Sequence, residues 1–238
     1  MSRSEIIKYL ILRSIGNFLL LFALFGVIAT FGPSLYYEFY FRIGQIRGVT
    51  YSVASTTASS ATGFGDILKQ QEAQKNNGFA NILSIPTEQI LIPKDTDFSL
   101  LIPKLGASAK VFPNIGVEDE KEFLPILQKG VAHAKGSVFP GIAGNTYLFA
   151  HSTDNFWDVG RYNAIFYLLK DLTIGDDITV FFENKRFNYA VSDTKIVDPK
   201  DVDYLIKGQN IQEEQLVLQT CWPPGTTWKR LIVIAKKK

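Results

Sequence analysis

The sequence predicts a mainly β domain with short helices, arranged as a closed sheet or a sandwich and preceded by one N-terminal transmembrane helix. Three observations lead to this fold class: an uncharged apolar stretch near the amino terminus, a polar segment after it, and then short β-branched and aromatic runs separated by Gly and Pro. With 238 residues and 46% hydrophobic content, the chain has room for one domain of ordinary size and its core.

The predicted transmembrane anchor covers residues 14–37, after a short cytoplasmic segment of residues 1–13. The anchor contains no charged residue, and Phe18 to Phe31 is almost continuously apolar, long enough with its flanks to cross a hydrocarbon core of about 30 Å. Cations precede it and aromatic residues follow it, which predicts a single-pass protein of the cell membrane with the rest of the chain outside the cell. The aromatic residues are Tyr36, Tyr37, Phe39, Tyr40 and Phe41. A cleaved signal peptide is the alternative, but no A-x-A site follows the apolar run.

Residues 38–78 are predicted to be a juxtamembrane segment and a flexible linker. Between Gly48 and Gly78 the chain is rich in Ser, Thr, Ala, Gly, Gln and Asn, with too few large apolar residues for a core. A flexible linker of this size would span about 30 Å and keep the following domain near the membrane.

Residues 79–238 are predicted to form one domain, which consists mostly of short strands. Helical pattern is confined to pieces near Glu120 to Lys129, where Pro125 argues against a long helix, and near Ala164 to Leu169. The predicted strands are Phe98–Ile102, Lys110–Phe112, Tyr147–Ala150, Asp177–Phe182, Arg186–Val197, Leu216–Cys221 and Trp228–Ala235.

Cys221, the only cysteine, ends one of these strands, with Arg230 after it and His151 upstream. A lone thiol forms no intramolecular disulfide, and its reactivity requires the thiolate. The three residues outline a thiol nucleophile, an acid–base imidazole and an anion-stabilising cation. The alternative interpretation is a buried cysteine that serves as a small apolar side chain.

Two blocks of sequence resemble the sortases, the membrane-anchored cysteine transpeptidases of bacterial cell surfaces. Leu216-Val-Leu-Gln-Thr-Cys221, followed by Pro and then Arg230, is similar to the active-site strand and loop of that family. Gly130-Val-Ala-His133, then Phe139-Pro-Gly141, Gly144-Asn145 and Tyr147-Leu-Phe-Ala-His151, resembles its histidine block. Ala150 stands where many sortases have Gly, a small change. The resemblance extends over roughly Phe98 to Ala235.

The resemblance implies a sortase-like closed β-barrel, with Cys221 ending one strand and Arg230 on the next. It implies catalytic His151, Cys221 and Arg230, with Thr220 and Ala150 contacting the substrate. It further implies cleavage of an LPxTG-like sorting signal near the carboxyl end of exported proteins and transfer of the acyl group to a cell-surface amine. No cofactor or metal is expected, although some members of the family bind calcium in loops.

The chemistry of the three residue types agrees with an acyl transfer. A thiolate attacks a peptide carbonyl, an imidazolium protonates the departing amine, and a thioester holds the acyl group until an amine accepts it. Only about 1% of an uncoupled thiol–imidazole pair carries both charges at neutral pH, so either mutual attraction raises that fraction or a minority form reacts. Arginine stays protonated and suits an oxyanion or a substrate backbone; a surface ion pair is the other interpretation of Arg230.

Strand parity predicts which side chains accompany the site. Arg230, Ile232 and Ile234 share one face of their strand, as do Cys221, Gln219 and Val217. A charged group among aliphatic residues at the start of a strand indicates the rim of a barrel.

His133 is interpreted as a structural or groove-lining residue. A metal site of Cys221 and both histidines lacks a second cysteine and close ligand spacing. Acidic clusters at Glu118–Glu120 and at Asp198, Asp201 and Asp203 could bind calcium, but such residues are more often helix caps and solvated loop residues.

Two other functions compete with transpeptidation. Water could resolve the same thioester, which would make the protein a cysteine endopeptidase, or the domain could bind surface peptides without catalysis. A pilin-polymerising sortase is less favoured because no D-P-aromatic lid precedes the domain. Nucleic-acid binding is not expected, because the net charge is only +2 and no basic stripe is present.

Overall fold

The computed structural model describes residues 3–53, 88–152, 164–201, 212–224 and 226–238, and the structural statements below concern these residues. The predicted linker from residue 54 to residue 78 lies outside them, as does Asp203.

The N-terminal helix, α1, runs from Arg3 to Ile46 and is 44 residues long. Its stretch Arg3–Ile28 has a mean hydropathy of 2.1 and is not buried in the protein, so it is long and apolar enough to cross a membrane. The helix extends beyond the predicted anchor, residues 14–37, in both directions. The exact limits of the anchor stay a prediction.

The strands after residue 97 form a closed barrel of eight strands, which confirms the predicted mainly β fold with short helices. Its strands are β3 (Phe98–Ile102), β4 (Ala107–Ile115), β5 (Val131–Ala134), β6 (Gly144–Phe149), β7 (Asp177–Phe182), β8 (Lys185–Val197), β9 (Glu214–Trp222) and β10 (Lys229–Lys237). Neighbours around the barrel follow the order β10-β8-β7-β3-β4-β5-β6-β9.

Short helices lie close to their predicted positions. Helix α2 spans Glu120–Leu127. Asp119 caps its N-terminus, where the Asp119 side chain accepts a hydrogen bond from the Lys121 amide. Helix α3 spans Ala164–Tyr167 and continues as a 3₁₀ turn, Leu168–Asp171. A second 3₁₀ turn, Pro103–Leu105, connects β3 to β4.

The barrel wall has an apolar inner face and a more varied outer face. All eight strands contribute to the central core, for example through Leu100, Leu148 and Leu218, each at most 1% exposed. A separate apolar cluster lies outside the wall formed by β5, β6, β9 and β10, where α2 covers it. Because side chains alternate along a strand, each of these strands serves both clusters.

Three strands were not predicted. β5 is only four residues long and is buried throughout, so its sequence lacks the alternation that marks a half-exposed strand. β1 (Thr50–Val53) and β2 (Glu88–Leu91) form a separate two-stranded parallel sheet. Within the predicted 38–78 segment, the described residues 38–53 contain the end of α1 and the strand β1.

Candidate active site

Cys221 and Arg230 lie directly opposite each other on the antiparallel strands β9 and β10. Opposite residues of an antiparallel pair point to the same side of the sheet. The same ladder pairs Gln219 with Ile232 and Val217 with Ile234, so the two predicted rows of side chains form one surface. This surface is on the outside of the barrel, and Cys221 and Arg230 stand at its end, where β9 leaves the sheet and β10 enters it.

His151 reaches the same end of the barrel through the parallel pairing of β6 with β9. The register pairs Phe149 with Gln219, and the Ala150 amide donates to the Gln219 carbonyl over 3.2 Å. If this register continued, its next two pairs would be Ala150 with Thr220 and His151 with Cys221. The fold thus gathers the three predicted catalytic residues on three adjacent strands or their ends.

Thr220 and Ala150 connect the two strands immediately before the thiol and the imidazole. The Thr220 hydroxyl donates to the Ala150 carbonyl over 3.0 Å, and the two residues are only 2% and 8% exposed. This hydrogen bond fixes the backbone on both sides of the site. The substrate contacts predicted for these residues stay a prediction.

The Arg230 guanidinium is oriented by the loop that precedes its strand. Its Nη1 donates to the carbonyls of Thr227 and Lys229, each over 3.2 Å. Both of these hydrogen bonds use Nη1, and a guanidinium carries further N–H donors on Nε and Nη2. They could donate to a negatively charged oxygen or to a peptide carbonyl.

The thiol of Cys221 is partly exposed and free. It therefore differs from the buried cysteine of the alternative interpretation, since a small side chain in a barrel core would be enclosed on all sides. An accessible thiol on this surface can be reached by a peptide and by a second, incoming amine.

An apolar and hydrogen-bonded surface adjoins the site and was not predicted in full. The Tyr147 hydroxyl donates to the side-chain carbonyl oxygen of Gln219, and Phe149 packs edge-on against Phe123 of α2 at 6.1 Å between ring centroids. Parity alone placed Gln219 with Cys221, but the contact with Tyr147 depends on the β6–β9 register, which the sequence does not specify.

His133 is a structural residue of the barrel wall. It is fully buried, stacks on Phe139 with ring centroids 4.5 Å apart, and accepts a hydrogen bond from the Asn114 amide at Nδ1. Its Nε2 lies 3.1 Å from the Val138 carbonyl, to which it donates. Burial lowers the pKa of His133 below its ordinary value of 6.5, although the bond to Val138 opposes this shift. The imidazole is therefore neutral and does not line the groove.

The acidic residues considered for calcium have local structural roles where the structure describes them. Asp119 caps α2, and Asp198 accepts hydrogen bonds from the Lys200 amide and, at 3.4 Å, from Lys229. Among the described residues, no group of three or more His, Cys, Asp or Glu side chains is placed to bind a metal ion.

Comparison with known proteins adds independent information. The Sortase domain family matches residues 100–238. Sortase D of Bacillus subtilis (strain 168) is 31% identical over 141 residues, which are 58% of this chain and 62% of that relative. The chain thus matches less than two thirds of the relative's length.

The barrel also resembles solved structures. The crystal structure of sortase C-1 from Actinomyces oris (formerly Actinomyces naeslundii) superposes with a TM-score of 0.50 at 24% identity, covering 61% of this chain and 74% of that one. At this identity the likeness concerns the fold. Since the family's domain extends over more than half of the sequence and includes His151, Cys221 and Arg230, this chain belongs to the sortase family.

Proposed function

We propose that the protein is a membrane-anchored cysteine transpeptidase that cleaves an LPxTG-like sorting signal and transfers the acyl group to an amine at the cell surface. The observation that carries this proposal is the pairing of Cys221 with Arg230 across β9 and β10, beside the β6 end that leads into His151. A nucleophile, an oriented cation and an imidazole are thereby available at one accessible surface.

The first half of the reaction forms the acyl-enzyme. The Cys221 thiolate attacks the carbonyl carbon of the threonine in the sorting signal, and its electron pair forms a carbon–sulfur bond. The carbon–nitrogen bond to glycine then breaks, and the His151 imidazolium gives its proton to the departing amine. The product is a thioester on Cys221 and a free glycyl peptide.

The second half reverses these roles. The incoming amine attacks the thioester carbonyl and loses a proton to the His151 imidazole, while the carbon–sulfur bond breaks and the thiolate is restored. An amide bond replaces the thioester, so no oxidant, cofactor or metal is required. The same intermediate attacked by water would yield an acid, which is the endopeptidase alternative.

Arg230 is assigned to the charge that develops on the substrate oxygen in both steps. Its Nη1 is bonded to backbone carbonyls of its own loop, which fixes the guanidinium plane before substrate arrives. A preoriented donor costs little reorganisation in the transition state. Arginine cannot act as the base because it stays protonated.

Helix α1 supports the proposed location of the protein in the cell membrane. Its apolar stretch Arg3–Ile28 supports a single-pass anchor in the cell membrane, with the catalytic domain outside the cell. The proposed partners are exported proteins that carry a C-terminal sorting signal and an acceptor amine. The identity of that amine is not specified by any described side chain.

Trapping the acyl-enzyme tests this function. The full-length protein in detergent would be mixed with a peptide containing the sorting motif and no amine, quenched in acid, and analysed as the intact protein by mass spectrometry. We expect an added mass equal to the acyl fragment, absent in Cys221→Ala. A peptide that binds without any covalent adduct or cleavage would favour the non-catalytic binding domain.

A further inference from the structure

The last turns of α1 lie against the barrel, although this helix begins as the predicted membrane anchor. Glu38, Phe41 and Arg42 occupy one face of the helix, at the three- and four-residue spacing that places side chains together. Glu38 binds Lys170 and Arg42 binds Asp171, both on the 3₁₀ turn after α3, while Phe41 packs in the core of the barrel. We call these five residues the α1–barrel contact.

Phe41 is the apolar centre of the α1–barrel contact. It is 9% exposed and belongs to the central core of the barrel, whereas Phe39, two positions earlier on the helix, is 68% exposed. An aromatic residue next to a membrane span is usually found in the lipid headgroup region. Phe41 is instead buried in the protein, and burial of such a ring favours the docked helix.

Charged side chains surround Phe41 and fix the rotation of the helix. The Glu38 carboxylate accepts from Lys170 Nζ over 2.8 Å and from Arg42 over 3.0 Å, while Arg42 also donates to Asp171 over 3.2 Å. Lys170 Nζ lies 4.6 Å from the centre of the Tyr167 ring. The bond from Lys170 keeps the pKa of Glu38 below its ordinary value of 4.5, so this carboxylate is charged at neutral pH. Burial raises the pKa of Asp171 instead.

A second attachment follows closely after the first. β1 pairs with β2, and its Tyr51 and Val53 pack on the cluster of Leu91, Leu101 and Phe181. The Tyr51 ring covers Gly106, where an added Cβ would come within 2.7 Å of the ring. Two successive contacts restrict the orientation of the helix far more than one contact does.

The distance from the membrane to the α1–barrel contact is short. The predicted anchor ends at residue 37, and Glu38, the first charged residue after it, follows directly on the same helix. The barrel therefore lies just above the headgroups on a continuous helix.

We propose that the α1–barrel contact fixes the catalytic domain in one orientation relative to the bilayer, so that α1 is a rigid support and not a flexible tether. This inference rests on the proposed function in one respect, because a fixed orientation presents Cys221 at a set height to substrates that are themselves held in the membrane. It predicts that the contact matters for membrane-bound substrates and not for soluble peptides.

Distance measurements between spin labels test the rigid support without requiring catalysis. The full chain, with Cys221→Ser, would carry labels at Ile28→Cys on α1 and at Ile196→Cys on β8, both exposed positions, in nanodiscs of phosphatidylcholine and phosphatidylglycerol. We expect a single narrow distance distribution. Phe41→Ala should broaden it severalfold, and the matched change Phe39→Ala should leave it narrow. An equally broad distribution before and after Phe41→Ala would overturn the proposal.

Removal of the ion pair provides a second test that does not depend on the tolerance of the core to Phe41→Ala. Glu38→Gln and Lys170→Gln should each broaden the distribution, and the double substitution should broaden it little beyond either single one, because both changes remove the same interaction. A distribution that stays narrow in the double substitution would exclude the ion pair as the element that sets the orientation.

Activity of the same contact variants in the Cys221-containing protein separates this inference from the proposed function. Phe41→Ala should transfer a soluble sorting peptide at close to the rate of the unaltered chain, yet lose severalfold in rate on a substrate anchored in the same bilayer. Equal losses on both substrates would contradict the rigid support. Absence of transfer in every variant would instead contradict the proposed function, and the label distances would still decide the orientation.

Discussion

The two faces of the β9–β10 ladder contain opposite kinds of chemistry on the same backbone. The inner face carries Leu216, Leu218 and Val233, all fully buried in the barrel core. The outer face carries Gln219 and, at its end, the paired Cys221 and Arg230. The two-residue period of a strand lets one ladder close the core and hold reactive groups at fixed spacing. Inner-face substitutions should therefore affect stability, whereas substitutions of Cys221 and Arg230, at the end of the outer face, should affect turnover.

The largest expected effect is loss of turnover on removal of the thiol. Cys221→Ala should lower kcat/KM by about 10⁴-fold or more, because no other described group can form the acyl-enzyme. Its Tm should change little, since the side chain is partly exposed. His151→Ala should behave similarly. Peptide cleavage assays and thermal unfolding measure both quantities, and substantial residual transfer in Cys221→Ala would exclude the proposed mechanism.

Arg230→Lys tests whether the outer face needs the guanidinium or only its charge. Lysine keeps the charge but loses the planar fork of donors, so we expect a loss of roughly a hundredfold in kcat/KM without loss of stability. Lys229→Arg is the matched control, because the neighbouring side chain is exposed and forms a surface ion pair with Asp198. Unaltered kcat/KM in Arg230→Lys would contradict a role in catalysis and favour the interpretation of Arg230 as part of a surface ion pair.

Leu218→Ala tests the inner face. Leu218 is fully buried between its neighbours in the core, so the substitution should lower the free energy of unfolding by about 2–5 kcal/mol through lost burial and a cavity. At a temperature where the variant is folded, kcat/KM should be nearly unchanged. Leu124→Ala on α2, where the side chain is 39% exposed, should cost far less. A Leu218→Ala protein with a normal Tm and low turnover would contradict the assignment of stability to the inner face.

The smallest expected effect is the pH dependence of stability that arises from His133. His133 is enclosed by Phe98, Phe139 and uncharged backbone groups, and its pKa is lowered by burial. His133 therefore binds a proton more readily in the unfolded chain, where its pKa is near the ordinary value of 6.5, than in the folded protein. The free energy of unfolding should fall as the pH decreases below that value. Denaturant unfolding from about pH 7 to about pH 5 should show a shallower slope for His133→Gln. Equal slopes would contradict the neutral, buried imidazole.

The sequence predicted the parts of the site that depend on local pattern. Cys221 and Arg230 fall at strand ends that β-branched runs mark, and the two-residue period correctly placed Gln219 with Cys221 and Ile232 with Arg230. Strand order was not available from periodicity, because pairing of β6 with β9 joins residues far apart in the chain. The contact of Tyr147 with Gln219 follows from that pairing.

The membrane-proximal region was predicted least well. Its composition is polar from Gly48 onward, and composition alone favours a linker. What fixes residues 38–53 is contact with distant partners: Phe41 enters the barrel core, and Tyr51 packs beside Leu101 and Phe181. Such contacts depend on the shape of the finished barrel and leave no periodic trace in the sequence.

The partition of the thioester between water and an amine tests the account most directly. The full-length protein would be incubated with a sorting peptide and increasing amounts of a glycine oligomer, and all products weighed by mass spectrometry. We expect slow hydrolysis without the amine and a rising share of ligated peptide with it, both abolished in Cys221→Ala. Brisk hydrolysis that requires Cys221 but never yields ligated product at any amine concentration would contradict transpeptidation and identify an endopeptidase.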